Sequence, residues 1–256
     1  MYLRNRTARM DAEMFEKFRV NRQIKKAGLT SPMLGEGRYD TEIDGETVQV
    51  THSPFNPAWL EEMAITPQVI FDVGSYDGGD GLRLKRHFPS AQVVSVEADP
   101  EQFEQVRSHV QTAGNILVNS AICDLDGEID WFSATIDGKS HAQGSLYRQS
   151  KTYKRRFGFV VQASEPVKVP ATRLDTLCQR LGIDRIDLLH MDIEGAEFVA
   201  LQSLGDIRPK VIYLELSDKL FVGARSRADT QRLLAEMGYE ELLRFGPDRL
   251  YRYRAA

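Results

Sequence analysis

The stretch Val69-Ile70-Phe71-Asp72-Val73-Gly74-Ser75-Tyr76-Asp77-Gly78-Gly79 constrains the fold more than any other part of the chain. An apolar run enters an acid, a glycine-punctuated turn follows, and a helical pattern opens near Asp80. Such a pattern predicts a buried parallel strand feeding a tight loop and a helix, which places a ligand at the strand's carboxyl end. A dinucleotide fingerprint needs a second glycine two residues after the first, so that pyrophosphate can approach the backbone. Tyr76 stands there instead. Asp72 and Asp77 add two negative charges, which disfavour pyrophosphate and suit a ligand with cationic groups.

Downstream, strands and helices alternate. Residues 81–88 read as a helix stopped by Pro89, 92–97 as a strand ending in an acid, 100–113 as a helix with Pro100 in its first turn, and 116–119 as a third strand. The rhythm resumes with a strand over 186–191, a helix to about 204, a strand over 210–216 and a helix over 227–237. Residues 240–245 and 249–254 close the chain as a hairpin about Gly246-Pro247-Asp248. The expected fold is α/β: a doubly wound, Rossmann-like sheet, mostly parallel, with a C-terminal antiparallel hairpin.

Two segments stand outside that rhythm. Residues 1–67 are expected to form a small N-terminal extension with little core, serving as a lid or a homodimer contact. It combines a helix within 11–27, a hairpin of 39–43 with 47–50 about Asp44-Gly45, and a short helix over 58–64. The main domain is expected over 68–256, with an insertion at 127–170. Within that insertion, 128–132 reads as a strand and 137–158 as a polar, irregular stretch of functional or mobile character.

The 256 residues include 33 basic and 37 acidic ones, a net charge of −4, so a nucleic-acid partner is not expected. No apolar run approaches the roughly 20 residues of a membrane span, and no signal peptide is read at the N-terminus. Cys123 and Cys178 are the two cysteines, far apart, which argues against a cysteine-rich metal motif and for a reducing, cytoplasmic setting.

Glu97 ends its strand 25 residues after Asp72, where a carboxylate can accept hydrogen bonds from both hydroxyls of a ribose. Asp99, just before Pro100, is the better candidate for the helix N-cap. The pattern Asp-x-Gly-x-x-x-Gly from Asp72 to Gly78 resembles the first motif of class I S-adenosylmethionine (SAM)-dependent methyltransferases. With Asp-x-Glu-Gly-x-Glu from Asp192 to Glu197 at the end of a later strand, the chain resembles the FkbM family of SAM-dependent O-methyltransferases. The resemblance covers about residues 69–216. It implies methylation of a hydroxyl on a sugar, glycan or natural-product small molecule. It also implies a cofactor site in which Asp72, Gly74, Ser75, Tyr76, Asp77 and Gly78 hold the methionine end. Glu97 takes the ribose, Ala98 and Asp99 border the adenosine, Ser120 and Ala121 lie at the adenine ring, and Asp192 faces the methyl. One departure is His190, where the family often carries lysine two residues before this aspartate.

Methyl transfer to an alcohol is an in-line displacement in which alignment supplies much of the acceleration, and the hydroxyl proton needs a base or a metal. Asp192 is the first candidate for base or substrate orienter. His190 shares its strand face and either tunes it or is a hydrogen-bonded buried histidine. Glu194 holds the turn or touches substrate, and Glu197 caps the following helix. His141, in the insertion, is a second candidate base or else an exposed loop histidine. No dedicated metal site is expected; magnesium held by Asp192 and Glu215 is the metal-assisted alternative. The basic run 151–156 either attracts an acidic acceptor or is a solvated helix face. Two other functions stay open: a nucleotide-dependent oxidoreductase on a related fold, and a catalytically silent SAM-binding module.

Overall fold

The computed structural model describes residues 18–254 except residue 44, so the predicted helix over 11–27 is seen from 18 onwards and Asp44 of the hairpin turn lies outside the described residues. In chain order, helix α1 (residues 18–26) precedes the hairpin β1 (Gly37–Ile43) and β2 (Glu46–His52), then α2 (Ala58–Glu62). The alternating part begins with β3 (Val69–Val73), α3 (Gly79–His87), β4 (Gln92–Glu97), α4 (Pro100–Thr112) and β5 (Ile116–Asn119). The insertion runs through β6 (Ala121–Ile122), β7 (Gly127–Ile136), β8 (Lys139–Ser145), β9 (Arg148–Gln149), α5 (Lys151–Arg156), β10 (Val161–Gln162) and β11 (Val167–Thr172). Then come α6 (Leu174–Leu181), β12 (Leu188–Met191), α7 (Glu197–Gln202), β13 (Val211–Glu215), β14 (Phe221–Val222), α8 (Arg227–Glu236), β15 (Tyr239–Phe245) and β16 (Asp248–Tyr253).

A seven-stranded sheet in the order β15-β16-β13-β12-β3-β4-β5 is the frame. β13, β12, β3, β4 and β5 run parallel, and β16 pairs antiparallel with both β13 and β15. The expected mostly parallel sheet with a C-terminal hairpin is therefore what the chain builds. Period-two alternation sends Phe71, Val73, Leu189, Met191, Ile212 and Leu214 to one face, under α6, α7 and α8. Ile70, Leu188 and Val211 go to the other, which α1, α2 and α3 cover.

That second face corrects the expectation of a core-poor extension. Phe55, Trp59 and Leu60 are wholly buried there, with Val20 and Ile24 beside them. The extension thus supplies the layer that a crossover helix supplies elsewhere. A second correction concerns 137–158, which carries regular strands and a helix. Asp137 and Gly138, at φ 51° and 75°, turn β7 back into β8, and Ser150 caps α5 through the backbone N–H groups of Thr152 and Tyr153. The stretch is polar because β8 lies at the edge of its own five-stranded sheet, not because it lacks structure.

Candidate active site

Residues at equal depth in four neighbouring strands form a polar row on the face under α3: Ser95, Asp72, His190 and Tyr213. His190 is 3% exposed and stacks on Tyr213 at 5.1 Å with a 9° interplanar angle. Its Nδ1 lies 2.9 Å from Asp72 Oδ1, and its Nε2 lies 2.9 Å from Ser53 Oγ and 3.8 Å from Asp80 Oδ2. Ser53, His190 and Asp72 repeat the residue types of a hydrolytic triad, but the protons run otherwise. The Ser53 hydroxyl donates to Asp80 Oδ1 at 3.0 Å, so its oxygen accepts from His190, which then donates from both ring nitrogens. Burial alone would lower the His190 pKa; the Asp80 and Asp72 carboxylates outweigh it and raise it. His190 is thus a buried imidazolium clamped between acids, a positioning group and not a free base.

The glycine loop leaves β3 at Gly74, whose φ of 84° is in the left-handed region. A Cβ there would fall 1.8 Å from the Asp192 carbonyl oxygen, so only glycine lets the β3 and β12 loops meet. Tyr76, at φ 50°, donates its backbone N–H to Glu97 Oε2 at 2.8 Å, and Asp99 donates its own to Glu97 Oε1 at 2.8 Å. Glu97 thereby ties the first loop to the second, and each oxygen keeps lone-pair capacity for another donor. Burial drives the Glu97 carboxyl up to about 7.

Two spaces meet above these loops. A narrow cleft of about 30 Å³ runs past Gly74, Glu97, Ala98, Ser120 and Ala121 to Asp192. A larger cavity of about 400 Å³ is bordered by the loop Gly74–Asp77, the β2 end and His141, and again by Asp192. Asp192 is open to this space yet ringed by protein. Burial, then the charges of Glu215, Glu194 and Glu197, raise its carboxyl well above the usual range. Glu194, held at φ 50°, is raised for the same reasons. Burial raises Glu197 to about 7 although it accepts from the Gly195 N–H at 3.1 Å, and raises Asp248 to about 7 although it accepts from the Tyr213 hydroxyl at 2.6 Å.

These shifts set a pH dependence of stability. Glu97, Glu197, Asp248 and His190 all have folded pKa values above their unfolded ones. Their stabilisation is complete below the unfolded values, near 4 for the acids, and is lost as pH climbs through about 7. The cofactor-free protein is expected to melt at a lower temperature at pH 8 than at pH 5.5 by scanning calorimetry; a midpoint that rises over that interval contradicts the assigned environments.

Of the residues singled out in the sequence, the structure brings Gly74, Tyr76, Glu97, Ala98, Ser120, Ala121 and Asp192 to the cleft. Asp72, Ser75, Asp77, His141, His190 and Glu194 border the larger cavity. Two do other work. Asp77 accepts from the backbone N–H groups of Thr51 and Gly79, pinning the β2 end to the loop. Asp99 borders neither space: it caps α4 and accepts from Trp131 Nε1 and Ser133 Oγ. Gly78 is the left-handed N-cap of α3. His141 lies in β8, not in a loop, with its ring 5.8 Å from that of Tyr76. Ser53, Asp80, Asp248 and Trp131 are site residues that sequence reasoning missed.

A sheet in this strand order, with a glycine loop after β3, an acid closing β4 and an acid after β12 around one cleft, defines a methyltransferase of the class I type. The chain belongs to the FkbM methyltransferase family, whose domain model matches residues 72–252. It is 32% identical to the 2-O-methyltransferase NoeI of Sinorhizobium fredii over 157 residues, 59% of this chain and 64% of that protein. Methyltransferase 1 of Beauveria bassiana is 26% identical over 145 residues, 54% of this chain and 58% of its own. The chain thus spans less than two thirds of the length of these two curated relatives. Precorrin-6y C5,15-methyltransferase of Geobacter metallireducens, a crystal structure, superposes with a TM-score of 0.40 at 11% identity, over 73% of this chain and 80% of that one.

Proposed function

We propose that this protein transfers a methyl group from SAM to a hydroxyl of a sugar, glycan or natural-product small molecule. The observation that carries this is the position of Asp192, which borders both the narrow cleft and the larger cavity. The cleft suits a nucleoside: its walls are largely apolar, and of its two carboxylates Asp192 faces the larger cavity as well while Glu97 has acceptor capacity left for a ribose diol. Bound SAM supplies an electrophilic methyl on a sulfonium. Gly74, Ser75 and Tyr76 border its methionine end, and Ala98, Ser120 and Ala121 the purine.

Asp192 accepts the acceptor hydroxyl's proton, or orients that hydroxyl while Glu194 holds its neighbour. A raised carboxyl pKa makes Asp192 the stronger base, which suits an alcohol's reluctant proton. His190 acts through Asp72, fixing the β3 end from which the glycine loop departs. His141 is the second candidate base, and the β1–β2 hairpin, which borders the larger cavity at Gly37, Arg38 and His52, is the candidate lid. Among the described residues no group of three or more His, Cys, Asp or Glu is disposed to hold a metal; magnesium on Asp192 and Glu215, completed by water, is the metal-assisted alternative. No helix among them is long and apolar enough to cross a membrane. NoeI is named a 2-O-methyltransferase, which supports oxygen as the methylated atom.

The test is a mass-spectrometric screen of glycans and hydroxylated metabolites incubated with enzyme and SAM. A methyl-sized gain on a hydroxyl, with S-adenosylhomocysteine released in equal amount, is expected. Cofactor binding without transfer to any acceptor would favour a silent module, and activity lost to a chelator and restored by magnesium would overturn the metal-free chemistry.

A further inference from the structure

The narrow cleft has two walls of different origin. Gly74, Glu97 and Ala98 belong to the ends of the seven-stranded sheet. Opposite them stand Trp131 from β7, Gly144 from β8 and Leu146 just beyond, all from the insertion. Trp131 is 7% exposed and clusters with Ala98 and Ala121, two residues expected at the purine. Its indole N–H donates to Asp99 Oδ2 at 3.1 Å. Since Asp99 also gives its backbone N–H to Glu97, the ring is keyed to the carboxylate proposed for the ribose. Gly144 lets β8 close behind the indole: a Cβ there would lie 2.6 Å from Cζ2 and 2.9 Å from Cε2 of Trp131.

At about 30 Å³ the cleft has room for about one water, so a purine enters only when the walls part. The part able to give is β8, an edge strand whose register with β7 breaks between Phe132↔Ser145 and Ala134↔His141, where Ala142 and Gly144 lie, whereas Gly74 and Glu97 are held to the parallel sheet by the bonds from Gly74 N–H to the Val96 carbonyl and from Tyr76 N–H to Glu97.

Resting on the cofactor assignment above, we propose that Trp131 is the purine-facing wall of the SAM site and that the β7–β8 pair yields to admit the nucleoside, then packs the indole against it. Aromatic faces hold purines by stacking, which needs no sequence of polar contacts. Ala142 of β8 borders both the cleft and the larger cavity, so the strand that closes on the nucleoside also bounds the acceptor side.

The chain has two tryptophans, and Trp59 is wholly buried in the core on the other face of the sheet. Titrating wild type with SAM is expected to change tryptophan emission, and Trp131→Phe is expected to abolish that change. By calorimetry, Trp131→Ala and Gly144→Ala should each weaken SAM binding roughly tenfold or more, the first by losing the stacking face, the second by pushing the indole into the cleft. If Trp131→Ala does not fold, the Phe variant's emission and the Gly144→Ala affinity carry the test. Wild type that binds SAM with unchanged emission, alongside variants that bind as tightly, would overturn the Trp131 assignment while leaving the cofactor assignment standing. Wild type that binds no SAM would bring down both.

Discussion

Asp192→Asn should lower turnover by roughly a hundredfold to ten-thousandfold, the usual weight of a positioned general base, while SAM affinity stays within a few-fold of wild type. The substitution keeps shape and most hydrogen-bonding capacity but removes the proton acceptor. In wild type, turnover should rise with pH and level off above a carboxyl pKa displaced upward from its usual range, because only ionised Asp192 accepts the proton. An amide variant with wild-type turnover would move the proton to another acceptor, with His141 or a Glu215-held metal next in line. A steady-state pH profile with saturating SAM separates these outcomes.

Gly74→Ala should have the next largest effect, and on folding as well as binding. The added Cβ meets backbone, the Asp192 carbonyl oxygen at 1.8 Å, so no side-chain rotation relieves it. The left-handed φ adds about 1–2 kcal/mol for any residue with a Cβ. Either the β3 loop or the β12 loop must withdraw, and both carry proposed cofactor contacts. A lower melting midpoint together with lost SAM binding is expected. A variant that binds and melts as wild type would mean that the two loops do not meet in solution as described.

The parallel strands were legible in the sequence because burial on both faces writes them as short apolar runs ending in an acid or a glycine turn. Glu97 and Asp192 were legible for the same reason: each follows such a run at once. Other features lay outside local pattern. Ser53 reaches His190 across 137 positions, and nothing near either residue signals the pairing. Phe55, Trp59 and Leu60 are interrupted by Pro57, which hides the helical period that would have marked them as core. The Asp137-Gly138 pair was a visible hairpin signal within the insertion, yet the polar residues around it masked the edge strand β8 and the far half of β7, beyond the 128–132 run read as a strand. Asp99 shows the converse: an acid in the right place whose two oxygens are already taken, one by the Glu101 and Gln102 N–H groups and the other by Trp131 and Ser133.

The most direct test of the cofactor assignment is isothermal titration of the wild-type protein and of Glu97→Gln with SAM, and of wild type with NADH. Wild type should bind SAM and not NADH. At pH 8, where a Glu97 carboxyl raised to about 7 is ionised, Glu97→Gln should bind SAM at least tenfold more weakly, since hydrogen bonds to a charged acceptor are worth about 1.5–3 kcal/mol each. Binding of NADH without SAM, or SAM affinity indifferent to Glu97, would contradict a cofactor site built on the loop from Gly74 to Gly78.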